Sequence, residues 1–189
     1  MRMRDLLLLS AIAGAACLLA LAAPSPVRPA LPVEEIEPML AFPGFGAALD
    51  TVARIRIAGP EGAAVLVRGS TRWEVASGED GAAADGARVA ALLGGLAQLR
   101  LVEEKTRLPE RYGLIAVDDP EDSGRGTRVT VYDIDDRVRA DLILGKVRIP
   151  PAPGLPGERF VRRPGAAQAW LARGAPDALA LPDAWRAAQ

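Results

Sequence analysis

Residues Leu6 to Ala23 run for 18 positions without a charge, and Arg2 and Arg4 precede them. A stretch of that length and apolarity just suffices to span a bilayer. The positive-inside rule places the arginine end in the cytoplasm and everything after the stretch outside it. The same residues also fit a secretory signal, with Ala20-Leu21-Ala22 as an A-x-A cleavage site. A lipoprotein is a third reading, on Cys17 after Gly14-Ala15-Ala16. That is a poor lipobox, and Cys17 reads more simply as a small apolar residue within the stretch. The length criterion favours an uncleaved anchor over residues 1–23. All three readings put the folded part outside the cytoplasm.

Residues 24–49 carry Pro24, Pro26, Pro29, Pro32, Pro38 and Pro43. Proline fixes φ and lacks an N–H, so this segment is neither a long helix nor a central strand. It reads as a semi-extended spacer, solvated by Glu34, Glu35 and Glu37. The Phe42-Pro43-Gly44-Phe45-Gly46 run reads as a turn, with docking on the domain as the alternative. A single domain is then expected over 50–189.

Composition removes several function classes. The 189 residues hold 23 Lys+Arg and 24 Asp+Glu, no His and one Cys, for a net charge of −1. Near-neutrality lacks the electrostatic footprint of a general nucleic-acid binder. Without His there is no imidazole catalysis or His-ligated metal. One Cys makes neither an internal disulfide nor a multi-Cys zinc site. Aromatics are scarce, so Trp73, Trp170 and Trp185 are expected to anchor the core. No cofactor is expected.

Beyond Asp50 the pattern alternates. Val52, Ile55 and Ile57 between Arg54 and Arg56 predict a strand. Gly59-Pro60-Glu61-Gly62 is a turn, Ala64–Val67 a second strand, and Thr71–Val75 a third. Asp85 caps a helix whose Val89, Leu92, Leu93, Leu96 and Leu99 recur at helical spacing. Gly94-Gly95 lowers its propensity and suggests close approach of a sheet. Leu101–Glu104 reads as a short edge strand and Lys105–Glu121 as a loop. Arg128–Tyr132 alternates again, Asp133–Asp136 turns, and Val138–Leu144 is a strand ended by Gly145. Arg159–Arg163 is a further strand, followed by a short helix over Ala166–Ala172. The order strand–strand–strand–helix thus occurs twice. The expected fold is α+β: two weakly similar βββα-like halves forming a mainly antiparallel sheet domain, preceded by an N-terminal hydrophobic helix.

Several stretches together resemble a bacterial family, the domain of unknown function forty-three-forty. They are Val52–Ile57 with Arg72-Trp73-Glu74-Val75, then Val89–Leu99. Lys105-Thr106 with Pro109, Arg111-Tyr112-Gly113-Leu114 and Asp119-Pro120 follow. The last are Leu142–Lys146, Phe160–Gly165 and Gln168–Gly174. The resemblance covers roughly Val52 to Trp185. It departs at Ser77–Ala84, which keeps only Ala84-Asp85 of the usual lead into the helix, and at the shifted Gly113–Val117. The resemblance implies a membrane-anchored extracytoplasmic domain accompanying ABC-type transport components, including ones similar to gliding-motility auxiliary proteins. It implies no catalytic residues.

Candidate sites are few. Arg159, Arg162 and Arg163 flank Phe160 on one predicted strand. They form either a patch for an anionic headgroup or acidic partner, or the guard of an edge strand. Asp118, Asp119, Glu121 and Asp122 lack the alternation and central Gly of a calcium loop and read as a solvated run. Asp133, Asp135 and Asp136 read as turn residues. Gly145-Lys146 is not a phosphate-binding loop. A Ser–Lys pair using Lys105 or Lys146, the chain's two lysines, has nothing to bring it together.

The expectation is a non-enzymatic accessory domain held at the bacterial inner membrane through Leu6–Ala23. It would contact an ABC-type permease or its auxiliary proteins from the periplasmic side. A released periplasmic binding module for a polysaccharide or lipid is the alternative, and a carboxylate-based hydrolase is a remote third.

Overall fold

A computed structural model describes residues 38–76, 81–148 and 157–188. The anchor stretch Leu6–Ala23, the spacer as far as residue 37, Ser77–Asp80 and residues 149–156 lie outside the described residues. The described residues belong to one compact unit. No helix among the described residues is long and apolar enough to cross a membrane.

Ten strands form one sheet: β1 (Met39–Leu40), β2 (Val52–Gly59), β3 (Gly62–Arg68), β4 (Trp73–Val75), β5 (Ala82–Ala83), β6 (Arg100–Glu104), β7 (Thr127–Asp133), β8 (Val138–Arg148), β9 (Glu158–Arg162) and β10 (Ala169–Arg173). Their order is β1-β6-β10-β9-β8-β7-β2-β3-β4-β5, and every pairing is antiparallel. The mainly antiparallel sheet domain expected from the alternation is therefore present.

The period of two explains how each strand divides its residues. Ile55 and Ile57 of β2, Val129 and Val131 of β7, and Leu142 and Leu144 of β8 face one side and are buried. Helix α1 (Gly86–Gln98) covers that side with Val89, Leu92, Leu93 and Leu96. The Asp85 carboxylate accepts from Ala87 N at 3.0 Å and Arg88 N at 3.1 Å, filling the orphan donors of the first turn. Gly95 admits Pro176, which a Cβ would meet at 2.8 Å. The close approach there comes from a loop and not from a sheet.

The structure departs from the sequence reading at several points, the first being β6, read as a short edge strand, which lies inside the sheet between β1 and β10. Residues Ala166–Ala172 do not form a helix, because their Ala169–Arg173 portion is β10, slotted between β6 and β9. Two flanking backbones offering ladder hydrogen bonds outweigh the alanine propensity. The second half is thus four strands and not βββα. Strand β9 is internal, so its arginines guard no edge. Strand β8 passes through Gly145 to Arg148. Last, residues 39–49, drawn from sequence into the spacer, belong to the domain. Met39 pairs with Leu101, Phe45–Thr51 is a 3-10 helix, and Phe45 is buried edge-on to Phe42, ring centroids 6.3 Å apart.

The opposite sheet side is covered locally. Residues Pro109–Arg111 form a 3-10 turn that runs into α2 (Tyr112–Ile115). Tyr112 and Ile115 of α2, with Val117, pack on Ile143, Phe160 and Ala169, forming a second small core. Two glycines let this segment lie flush. A Cβ on Gly145 would stand 2.4 Å from the Ile115 carbonyl oxygen, and one on Gly126 2.6 Å from that of Asp118.

Candidate functional site

The three arginines singled out from sequence do not share a surface. Arg162 projects to the α2 side and is buried. Its Nε donates to Val117 O at 2.8 Å and its Nη1 to Ala166 O at 3.0 Å. Its guanidinium lies 4.4 Å from the centre of the Tyr112 ring. The Tyr112 hydroxyl in turn donates to Ala167 O at 2.5 Å. A buried guanidinium is held here by carbonyls and a π face. Arg159 and Arg163 project to the other side, as alternation requires. Arg159 donates to Pro176 O at 2.7 Å and pairs with Asp177 at 2.9 Å. Arg163 donates to Ala41 O and lies over the Phe42 ring. Each of the three fastens a distant segment to β9.

Most carboxylates of the acidic runs are committed as well, although Oδ1 of Asp118 is buried with no hydrogen-bond partner among the described residues. Asp119 caps a 3-10 turn by accepting from Glu121 N, and Asp118 accepts from Arg125 N at 2.8 Å. Asp133 accepts from Asp135 N and Arg137 N, both at 2.9 Å, and so closes the β7–β8 hairpin. Asp141 grips Arg128 with two parallel hydrogen bonds of 3.0 and 2.8 Å. Asp119 at 3.4 Å and Glu121 at 2.9 Å complete the ring around that guanidinium. The Asp141 hydrogen bonds, with the neighbouring acids, hold the Arg128 pKa above its ordinary value against the cost of burial. Glu121 is lowered, first by its hydrogen bond from Arg56 and then by the charges of Arg128 and Arg56. No grouping of acids among the described residues is arranged to hold a metal ion.

Of the tryptophans, Trp185 is the buried anchor, 1% exposed, its indole N–H donating to Leu179 O at 2.7 Å. Trp73 and Trp170 are half-buried against the main core. Arg68 lies 5.2 Å from the Trp73 ring centre.

The surface feature that stands apart is a groove of about 540 Å³ on the α2 side of the sheet. One wall is the chain from Glu104 to Leu108, continuing β6. The other is the Arg111–Ile115 turn. Ile115 and Phe160 lie half-buried at the bottom, and Leu108 and Leu114 stay exposed on the rim at 44% and 68%. Three cations, Lys105, Arg107 and Arg111, line it against one carboxylate, Glu104. Lys105 pairs with Glu103, and Arg107 with Glu104 and Gln168. Arg111 makes no side-chain hydrogen bond or ion pair among the described residues.

Sequence reasoning passed over this site because Lys105–Glu121 reads as loop. The available signal was Leu108 and Leu114, bulky aliphatics set among Arg107, Pro109, Glu110 and Arg111. A solvated loop has no use for them. A second cleft of about 480 Å³ lies between Phe42-Pro43 and Val138–Asp141. Its cations are engaged already: Arg163 with Ala41, and Arg139 at 3.9 Å from Asp133.

Set against family models, curated proteins and solved structures, the chain matches none. The resemblance to the forty-three-forty family therefore rests on the stretches quoted above.

Proposed function

We propose that this chain is a membrane-tethered, non-enzymatic accessory domain whose folded part lies outside the cytoplasm and contacts an ABC-type transport assembly. Tethering rests on the uncharged Leu6–Ala23 stretch behind Arg2 and Arg4, read as one N-terminal helix spanning the bacterial inner membrane. The transport affiliation rests on the family resemblance. The observation that carries the contact role is the groove between Lys105–Leu108 and Arg111–Ile115. It leaves aliphatic side chains and an uncommitted guanidinium in the open on a domain whose other charges are largely paired. Exposed apolar surface bordered by charge is the signature of an interaction site.

The Ala20-Leu21-Ala22 motif favours a second reading, a periplasmic binding module released by signal cleavage. N-terminal sequencing of the native protein separates the two: retention of Met1 supports the tether, and a start near Ala23 supports release. The contact role is tested by affinity purification of a C-terminally tagged chain from solubilised native membranes. Stoichiometric recovery of a permease or transporter ATPase is the expected outcome. Recovery of the chain alone, in the soluble fraction, refutes it.

A further inference from the structure

We infer that the groove receives an extended segment of a partner protein, one that places a carboxylate beside a bulky apolar side chain. This rests on the accessory reading above and names the chemistry of the contact. Three observations lead to it.

The first is charge. The lining holds three cations against one carboxylate, in a chain whose net charge is −1. Lys105 and Arg107 are partly neutralised by Glu103 and Glu104, which leaves Arg111 as the donor free to take a new acceptor. Its fork geometry suits a carboxylate.

The second is shape. A volume of about 540 Å³ falls in the range of sites that hold a small ligand or a few residues of peptide. Ile115, Phe160 and Lys105 lie half-buried in it, and Leu108, Leu114, Arg107 and Arg111 stay exposed along it. Both walls thus carry a cation beside an aliphatic side chain, and an extended segment with a carboxylate next to an apolar group meets both at once.

The third is rigidity. Four side chains fix the α2 wall from beneath. Lys146 Nζ donates to Leu114 O at 2.8 Å, Arg125 to Gly113 O, Arg162 to Val117 O, and the Tyr112 hydroxyl ties the turn to Ala167. The wall is therefore formed before anything binds, which lowers the ordering cost of association.

The test uses the full chain in detergent micelles and fluorescence anisotropy with three labelled peptides. Their centres are Glu-Leu-Glu-Phe, Gln-Leu-Gln-Phe and Lys-Leu-Lys-Phe. The acidic peptide should bind at least about tenfold more tightly than the glutamine one. That advantage should shrink as salt rises from about 50 to about 500 mM. R111E should abolish the preference for the acidic peptide, and L114D should weaken both the acidic and the glutamine peptides. Both positions are exposed, and unchanged thermal unfolding of the variants shows that the domain is intact. Equal binding of the acidic and glutamine peptides overturns the inference. So does insensitivity to R111E, or R111E-sensitive binding to phosphatidylglycerol vesicles with no peptide bound. Co-purification of a transporter that survives R111E, with no peptide preference, would sink this inference and leave the accessory reading intact. A peptide preference without any co-purifying transporter would do the reverse.

Discussion

Arg162 ties β9 to the segment beneath α2 from a buried position, and replacing it with leucine isolates how. Leucine keeps part of the aliphatic stem and removes every donor. The carbonyls of Val117 and Ala166, which accept from Arg162 at 2.8 and 3.0 Å, lose their partner beneath the α2 turn. Leaving a buried acceptor unmet costs about 1–2 kcal/mol each. The Tyr112 face, 4.4 Å from the guanidinium, adds about 1–2 kcal/mol for a desolvated contact. Against this stands the gain from no longer burying a guanidinium that has no carboxylate beside it, about 1 kcal/mol. The net expectation for Arg162→Leu is a loss of about 3 kcal/mol, or roughly 6–12 °C in Tm for a domain of this size. Urea unfolding and calorimetry of the full chain measure it. Arg111→Leu is the control: an exposed arginine with no side-chain partner should move stability by less than about 0.5 kcal/mol. A loss below about 1 kcal/mol for Arg162→Leu, or equal losses for both variants, would refute this account.

Trp185→Ala should cost about 3–5 kcal/mol by urea unfolding, because the ring is fully buried. Trp73→Ala should cost clearly less, since Trp73 is only half-buried; equal losses would contradict the burial described. Gly145→Ala should destabilise by about 2–3 kcal/mol in the same assay, since its Cβ would meet the Ile115 carbonyl at 2.4 Å. Glu121 has a lowered pKa in the folded state. Its contribution is therefore present above the ordinary glutamate pKa and is lost as pH falls through the folded value. Wild type and Glu121→Gln should accordingly differ in urea midpoint at pH 7 and converge near about pH 3. A gap that persists in acid would mean that Glu121 acts by packing.

What the sequence could reveal was set by the range of the interaction involved. Helix α1 was legible because its signals are local: the Asp85 cap and leucines at helical spacing lie within one segment. The strands β2 and β7 were legible because arginine, threonine and tyrosine alternate with β-branched residues. Strand β10 was not legible. Gln168-Ala169-Trp170-Leu171-Ala172 carries helix-forming residues, and only its pairing with the preceding β9 and with β6, distant in sequence, makes it a strand. The position of β9 inside the sheet was hidden for the same reason. The arginines around Phe160 look like a patch when written in a row, yet alternation sends Arg162 to one side and Arg159 and Arg163 to the other. The groove stayed hidden because Gly126 and Gly145 do their work only where the 115–118 backbone presses on them. Nothing near either glycine in sequence announces that contact.

The placement of β10 makes residues 169–173 a latch. Strand β6 has two neighbours, the two-residue β1 and β10, and β9 meets β6 only through β10. A polypeptide delivered N-terminus first therefore carries two unmatched strand edges until residues 169–173 emerge. A product cut short before Ala169 would expose both edges together, an invitation to aggregation or to a protease. Residues 185–187 do the same at another corner. There the Trp185 carbonyl accepts from Asp85 N at 2.8 Å and Ala187 N donates to Ala83 O at 2.9 Å. Residues 169–187 are therefore what joins β6 to β9 and fastens the lead into α1.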